Sequence, residues 1–293
     1  MKNSIFKKIR FFFEFCIFYF LYIILSLLPI NIVSNLGGII FRSIGPLTKK
    51  HKIVIKNLLQ IFPEINSTEI KRISKKNWVN TGKTFFELLV LPKLINANQK
   101  IKIENIKYVN NILNKKEKVI FIGIHQSNWE ILVASLDNLG ISVGAIYRHI
   151  NNPFINKFIL NIRKKSISSK RSFYTPKGKQ SAKDIIDGLK KNISVILLID
   201  QKDSAGKIVN FFNFPSKTQI GFIKIAQKYK MKIIPIQNIR HAKTNFTLRF
   251  HQPIEINTNE LSDIEFMSKI HKIVEKWIKS DPENWFLQHN RFN

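Results

Sequence analysis

Cysteine, acidic residues and glycine are all scarce in this 293-residue sequence. The single cysteine, Cys16, cannot close an internal disulfide, so the chain is not a disulfide scaffold. Only 19 Asp and Glu residues stand against 48 Lys and Arg residues, which leaves a formal charge of +29. That balance predicts an anionic partner: nucleic acid, acidic lipid headgroups or an acidic carrier protein. The length suffices for one large α/β domain or two small ones.

Several motifs of known chemistry are absent as well. The sequence has no G-x-S-x-G elbow of a serine hydrolase, and Cys16 lies inside an apolar run, where it would not serve as an acylated thiol. Gly82-Lys83-Thr84 resembles the end of a phosphate-binding loop, but no strand precedes it and Asn77 replaces the first glycine. The seven histidines show no metal-ligand spacing. We therefore expect neither a metal nor a cofactor.

A long apolar run lies near the N-terminus. Phe11 to Leu28 is apolar except for Glu14, Ser26 and two tyrosine hydroxyls, and as a helix it is about 27 Å long, close to the roughly 30 Å of a hydrocarbon core. Pro29 ends the run, and no A-x-A-like cleavage site follows. We therefore predict a membrane anchor rather than a cleaved signal peptide or a buried core helix. Basic residues flank both ends, so the positive-inside rule selects no orientation, and a tilted or interfacial anchor stays open beside a spanning one.

A second apolar stretch follows directly. Ile30 to Ile44 is interrupted by Gly37-Gly38 and is too short to span a bilayer, so we predict that it lies in the membrane interface. The basic residues beyond it would hold the protein against anionic headgroups. We divide the chain accordingly into an N-terminal membrane anchor and interfacial segment, residues 1–48, and an α/β domain, residues 49–293.

From about residue 50 the pattern changes to alternating helices and strands. Helices broken at Pro63 are predicted over Lys52 to Leu91, and a last helix is predicted over Ile264 to Lys279. Short β-branched runs between them predict buried strands at Val119 to Ile124, Ile141 to Tyr147, Ile193 to Ile199 and Ile233 to Gln237. Helical patterns separate these strands. The alternation predicts an α/β fold with a mostly parallel central sheet flanked by helices.

A histidine and a glutamate follow the first of these strands. In His125-Gln-Ser-Asn-Trp-Glu130, Ser127 and Asn128 are good N-cap residues, so His125 should stand at the carboxyl end of the strand, where open α/β sheets bind ligands. We predict that His125 acts as a general base and that Glu130 accepts a hydrogen bond from its other ring nitrogen. The alternative is structural, with His125 bonded to a backbone carbonyl and Glu130 stabilising the helix N-terminus.

These residues resemble a known family. The His125 to Glu130 block is similar to the histidine, four residues, acidic motif of the late acyltransferases of lipid A biosynthesis, within the lysophospholipid acyltransferase superfamily. Ser127 stands where many members have glycine. Further blocks follow in the family's order over nearly the whole chain: Asn57 to Glu64, Tyr147-Arg148, Asn152-Pro153, Arg163, Lys177-Gly178, Asp200-Gln201, Phe211 to Thr218 and Asp281 to Arg291.

The resemblance implies a reaction and its partners. It implies a glycerol-3-phosphate acyltransferase-like fold at the inner membrane of a bacterium, with the catalytic domain on the cytoplasmic face. A fatty acyl chain would pass from acyl carrier protein to a hydroxyl of an acylated lipid A precursor, without a cofactor. Both partners are anionic, which agrees with the charge of +29 and removes the need for nucleic acid.

The resemblance also implies the roles of individual residues. His125 and Glu130 are the catalytic pair. The substrate-binding or oxyanion-stabilising residues are Arg163, Arg148, Asp200, Ser127 and Asn128. Arg163, or the backbone N–H groups of the Ser127-Asn128 turn, would stabilise the oxyanion, and Arg148 would bind a phosphate of the acceptor.

Two other functions stay open at this point. A sister enzyme that acylates a lysophospholipid or another glycolipid would use the same His125 and Glu130, although the Glu-Gly-Thr-Arg block of the glycerolipid branch is absent. A membrane-tethered polyanion-binding protein would explain the charge without catalysis. Its lysine-rich helices, however, lack an aromatic stacking ladder and a helix-turn-helix pattern.

Overall fold

In the computed structural model, which describes residues 2–97, 99–115, 117–255 and 261–292, helices precede an alternating α/β region. The helices are α1 (Lys2–Leu27), α2 (Ile30–Ile44), α3 (Lys50–Ile61), α4 (Ser67–Leu89), α5 (Leu91–Asn96), α6 (Lys107–Lys115), α7 (Ile131–Asn138), α8 (Pro153–Lys165), α9 (Lys179–Lys190), α10 (Gly221–Lys228) and α11 (Asp263–Ser280). The strands are β1 (Ile101–Glu104), β2 (Ile120–Gly123), β3 (Val143–Tyr147), β4 (Phe173–Pro176), β5 (Ser194–Leu198), β6 (Lys207–Phe211), β7 (Phe214–Thr218), β8 (Ile233–Arg240) and β9 (Phe246–Phe250). Short 3₁₀ helices lie at Gly45–Leu47 and Pro282–Asn284.

A seven-stranded sheet in the order β1-β9-β8-β2-β5-β3-β4 forms the centre of the described structure. Its neighbours pair in parallel except β8 and β9, which form an antiparallel pair, and β6 and β7 make a separate hairpin. The predicted α/β fold with a mostly parallel sheet is confirmed. The carboxyl ends of β2, β3, β4, β5 and β8 consequently lie at one edge of the sheet.

Alternate residues of the central strands enter two different cores. Ile120 and Ile122 of β2 belong to a cluster with α3, α9, α10 and α11, whereas Phe121 faces a second cluster with α5, α7 and α8. All four residues of β2 are buried. Because helices cover both faces of the sheet, each central strand is a continuous apolar run in the sequence. These runs are the pattern from which the strands were predicted.

Five strands of the described structure escaped the sequence prediction, and two of them, β1 and β4, lie at the edges of the sheet. β1 reads Ile-Lys-Ile-Glu and β4 reads Phe-Tyr-Thr-Pro, and neither has the apolar run of a central strand. β9 pairs antiparallel with β8, and β6 and β7 form a two-stranded hairpin that packs on α11. β1 and β4 depend on pairing with distant segments, which short local patterns do not report, and none of the five strands is a continuous apolar run.

The two N-terminal helices pack on the rest of the chain. α2 crosses α4 where Gly37 meets Gly82: a Cβ on Gly82 would lie 2.1 Å from the backbone oxygen of Gly37. α1 packs through aromatic rings on α8. The division of the chain at residue 48 stays a prediction.

Candidate active site

His125 follows β2 at the carboxyl edge of the sheet, and a buried aspartate from the neighbouring strand holds it. Asp200 follows β5; its Oδ1 lies 2.8 Å from His125 Nδ1, and its Oδ2 accepts from the backbone N–H of His125 at 3.1 Å. The indole N–H of Trp285 donates to the same Oδ2 at 2.7 Å. Because β2 and β5 pair in parallel, the residues that follow them are neighbours. The tautomer with the proton on Nδ1 satisfies Asp200 and leaves Nε2 as the basic nitrogen.

Asp200 is held as a carboxylate despite complete burial. Burial by itself would raise its pKa, but the positive charge of the His125 ring when it is protonated, together with the hydrogen bonds from His125 and Trp285, outweighs that effect. The pKa of Asp200 therefore lies below its ordinary value. The pair thus has the arrangement of a general base whose imidazolium is stabilised by a buried anion.

The structure corrects the predicted partner of His125. Glu130 does not bond the imidazole; its two carboxylate oxygens accept from Nε and Nη2 of Arg163, each at 2.7 Å. The residues between His125 and Glu130 turn the chain so that the Glu130 carboxylate faces α8, while Asp200, at the end of β5, lies beside the His125 ring. The spacing of His125 and Glu130 in the sequence does not predict the direction of that turn.

The Glu130–Arg163 ion pair is largely shielded from solvent. The Arg163 and Glu130 side chains are 14% and 11% exposed, and the rings of Tyr147 and Tyr174 lie 5.8 and 6.0 Å from the guanidinium carbon. Burial would lower the pKa of Arg163, but the charge and hydrogen bonds of Glu130 dominate and raise it. The pKa of the Tyr174 hydroxyl is also raised, by burial and by Glu130. Tyr174 was not singled out by the sequence.

Ser127 and Asn128 form the turn between His125 and Glu130, and the predicted contribution of the Ser127 amide to an oxyanion site is wrong. Ser127 has a φ of 55°, the left-handed region that glycine adopts without cost, and its backbone N–H donates to the carbonyl of Asn284 at 2.8 Å. That amide is not free for an oxyanion. Asn128 is fully buried, and its Oδ1 accepts from the backbone N–H of Glu130 at 3.1 Å. α7 begins at Ile131 with Glu130 at its N-cap, so the prediction that Ser127 or Asn128 caps this helix is wrong.

A buried ion pair between Glu87 and Arg240, which the sequence did not predict, contacts the Ser127-Asn128 turn. Glu87 of α4 is 0% exposed and accepts from Arg240 Nη1 and Nη2 at 2.6 and 2.8 Å. The Asn128 amide and the Ser34 hydroxyl donate to the same carboxylate at 2.8 and 2.6 Å. The available signal was a carboxylate inside an apolar helical stretch, because a buried charge requires a partner.

A cavity of about 620 Å³ opens beside His125 and Glu130. Apolar side chains of α7, β3 and β5 line one part of it: Leu132, Val133, Ala145, Ile146, Ile196 and Leu198. Aromatic side chains line another part: Phe41, Trp78, Phe85, Trp129 and Phe286. Arg148 lines it as well and is exposed, and no hydrogen bond or ion pair involves its guanidinium among the described residues. Such a cavity suits an apolar chain that carries a reactive polar end.

A model of one protein family matches residues 3–293, and its description is bacterial lipid A biosynthesis acyltransferase. The chain belongs to this family. No curated protein matches. Among solved structures, the chain is similar to the 1-acyl-sn-glycerophosphate acyltransferase PlsC from Thermotoga maritima, with 15% identity and a TM-score of 0.40 over 86% of this chain and 96% of that one.

Membership confirms the resemblance found in the sequence and makes the protein an acyltransferase. The described residues include one helix long and apolar enough to cross a membrane, Ile5–Leu27 within α1. The roles of individual site residues stay predictions, and so do acyl carrier protein, the bacterial inner membrane and its cytoplasmic face.

Proposed function

We propose that the protein transfers a fatty acyl chain from the thioester of acyl carrier protein to a hydroxyl of an acylated lipid A precursor. One observation supports this above the others: a histidine oriented by a buried aspartate faces a cavity with apolar and aromatic walls, in a member of an acyltransferase family. The reaction would take place at the cytoplasmic face of the inner membrane, where both substrates are available. It calls for no cofactor.

The acceptor hydroxyl attacks the thioester carbonyl directly. His125 Nε2 takes the hydroxyl proton as the new C–O bond forms, and Asp200 stabilises the resulting imidazolium through Nδ1. The tetrahedral intermediate then breaks its C–S bond. The imidazolium returns the proton to the departing thiolate, so the products are the ester and the free thiol of the carrier, and no acyl-enzyme forms.

Arg163 is the residue we assign to the oxyanion. Nε and Nη2 are bonded to Glu130, whereas no hydrogen bond of Nη1 occurs among the described residues. Glu130 therefore positions the guanidinium, and Nη1 donates to the oxyanion that forms at the thioester carbonyl. This assigns Glu130 a positioning role in place of the predicted contact with His125.

Charge at the cavity mouth supports an anionic substrate. Arg148 and Lys50 both line the cavity and are exposed, so each is available to a phosphate of the acceptor or to the acidic carrier. The net charge of +29 would steer both partners toward the protein.

The test is transfer of a labelled acyl group from acyl carrier protein to a tetra-acylated lipid A precursor, with membranes that contain the wild type or His125→Ala. We expect the variant to lose roughly 10²- to 10⁴-fold in rate, the range for loss of a general base. His241→Ala is the matched control, because His241 is exposed and bonds Thr247 outside the cavity.

The result also separates the open alternatives. A wild type that acylates a lysophospholipid or another glycolipid but leaves the lipid A precursor unchanged would replace the acceptor and keep the chemistry. Equal rates for His125→Ala and the wild type would refute the general-base mechanism. Salt-sensitive binding of polyanions with no transfer to any acceptor would leave the polyanion-binding alternative in place.

A further inference from the structure

The segment after α11 places a further histidine, His289, beside the general base. Trp285 of this segment donates to Asp200 Oδ2 at 2.7 Å. The backbone N–H of Phe286 donates to the carbonyl of His125 at 2.8 Å. These two bonds hold the segment against the residues that perform proton transfer, and His289 lines the same cavity as His125.

A backbone amide determines which nitrogen of the His289 ring carries the proton. The N–H of Lys202 donates to His289 Nε2 at 2.8 Å. A backbone N–H can only donate, so Nε2 must hold a lone pair, and the ring is the neutral tautomer with its proton on Nδ1. No hydrogen bond of His289 Nδ1 occurs among the described residues. The ring therefore has one N–H donor available to a molecule in the cavity.

The surroundings of His289 also oppose its protonation. The pKa of the ring is lowered to about 4, first by burial and then by the positive charges of His125, Arg291 and Lys50, although the charge of Asp200 opposes this shift. His289 is thus an uncharged donor at neutral pH. It adds no positive charge beside His125, where a cation would weaken the general base.

His289 lies among polar side chains that line the cavity. Gln288 precedes it, Gln201 precedes its partner Lys202, and Lys50 is close enough to lower its pKa. All of these except Lys202 line the cavity, whose apolar wall comes from α7, β3 and β5. Because the apolar wall suits the acyl chain, the polar side suits the molecule that carries the hydroxyl.

We propose that His289 binds the acceptor: its Nδ1–H donates to an uncharged oxygen of that molecule, a hydroxyl or a carbonyl, beside the hydroxyl that attacks. The inference rests on the proposed acyl transfer and adds a binding residue to it. A neutral imidazole offers no charge to a phosphate, whereas the exposed Lys50 and Arg148 do. His289 takes no proton during the reaction, because Lys202 occupies its basic nitrogen.

Two amide replacements separate the donor from the structural bond. In His289→Gln, the side-chain oxygen can accept from the Lys202 N–H in place of Nε2, but the donor at Nδ1 is lost. His289→Asn is the converse, because its shorter amide can replace Nδ1 and does not reach Lys202. The measurements are equilibrium binding of a tetra-acylated lipid A precursor in detergent micelles without acyl donor, and the KM of the same acceptor in the transfer assay.

We expect His289→Gln to weaken acceptor binding and to raise the acceptor KM roughly 3- to 10-fold, the range for one hydrogen bond between neutral groups. The kcat and the KM of acyl carrier protein should stay unchanged, since the bond exists before and during the reaction. His289→Asn should bind the acceptor more tightly than His289→Gln, yet melt at a lower temperature because the Lys202 amide loses its partner.

His271→Gln is the matched control. His271 is also a buried histidine whose pKa burial lowers to about 4, and its Nδ1 bonds the carbonyl of Asn210 at 2.7 Å, but it does not line the cavity. We expect this variant to lose stability and keep acceptor binding. Wild-type binding and KM in His289→Gln would overturn the proposal. Equal losses of binding in His289→Gln and His289→Asn would do so as well.

NMR of protein labelled with ¹⁵N-histidine gives a readout that needs no substrate. We expect the His289 signal, identified by its absence from the His289→Gln spectrum, to show the Nδ1–H tautomer between about pH 6 and 8. A protonated ring or an Nε2–H tautomer would overturn the proposal. A wild type that binds the precursor without acyl transfer would end the proposed function, whereas the binding comparison would still decide the role of His289. A wild type that binds neither the precursor nor a lysophospholipid overturns both.

Discussion

Replacement of Asp200 by asparagine tests the central correction that the structure makes. Asn at this position can still accept from the indole N–H of Trp285, but it has no charge to stabilise an imidazolium. An amide N–H turned toward His125 Nδ1 also favours the tautomer in which Nε2 carries the proton and cannot act as a base. Both effects act on the proton-transfer step, so we expect kcat to fall by roughly 10²- to 10⁴-fold, or about 2.7–5.5 kcal/mol in the barrier.

The assay is initial-rate transfer from acyl carrier protein, with thermal unfolding measured on the same preparations. Asp137→Asn is the matched control: Asp137 is also buried and accepts from Ser168 and Ser169 backbone N–H groups, both at 2.8 Å, but it does not line the cavity. We expect it to lose stability and keep kcat. An Asp200→Asn enzyme that works within threefold of the wild type would refute the assignment of Asp200 to the histidine.

The same variant has a pH signature in stability. Because the folded-state pKa of Asp200 lies below its unfolded value, its ionisation stabilises the fold above the unfolded pKa, about 3.9, and this contribution is lost as pH falls through the folded value. The stability difference between wild type and Asp200→Asn should therefore shrink as pH falls below about 4. Denaturant titrations at several pH values measure it, and a difference that grows on acidification would contradict the pKa direction.

Three other changes test neighbouring parts of the structure. Arg163→Lys removes a bidentate contact whose charge-assisted bonds are worth about 1.5–3 kcal/mol each, so we expect transfer to fall roughly 10- to 100-fold, and an unchanged rate would exclude the guanidinium from the reaction. Glu87→Gln leaves the charge of Arg240 buried without a counterion, at a cost of about 3–5 kcal/mol in the free energy of unfolding. Denaturant titration should show partial recovery when Arg240→Met is added, and no recovery would argue against the ion pair. Gly82→Ala would place a Cβ 2.1 Å from the backbone oxygen of Gly37, whereas the Cβ of Gly38→Ala would lie 3.1 Å from a methyl group of Val79. We therefore expect Gly82→Ala to lower the melting temperature more than Gly38→Ala. Equal shifts would argue against the close crossing of α2 and α4.

The sequence predicted structure correctly where a short segment has a clear local pattern, such as a continuous apolar run. The central strands are buried on both faces, so each appears as a continuous apolar run, and β2 and β5 lie inside the predicted segments. A residue after a parallel strand must stand at the carboxyl edge of the sheet, and this placed His125 correctly. The ordered set of motifs identified the family before any tertiary contact was known.

Partnerships within the site depended on strand order and on backbone turns. β5 lies beside β2 although 74 residues separate their starts at Ile120 and Ser194, and that adjacency brings Asp200 to His125. The left-handed residue Ser127 turns the chain so that Glu130 meets Arg163. Local sequence predicts neither the Asp200–His125 contact nor the Glu130–Arg163 contact, because each joins segments that are distant in the sequence.

The chain by itself thus determined its class, its central buried strands, its apolar N-terminus and the place of His125 at the sheet edge, since these follow from residue type and periodicity. Tertiary structure alone decided that Asp200, not Glu130, bonds the histidine, and that Glu87 and Arg240 neutralise each other behind the turn. It also decided that α1 packs on α8. Burial forces charged and polar groups to find partners, and the packing of distant segments determines which partner each one meets.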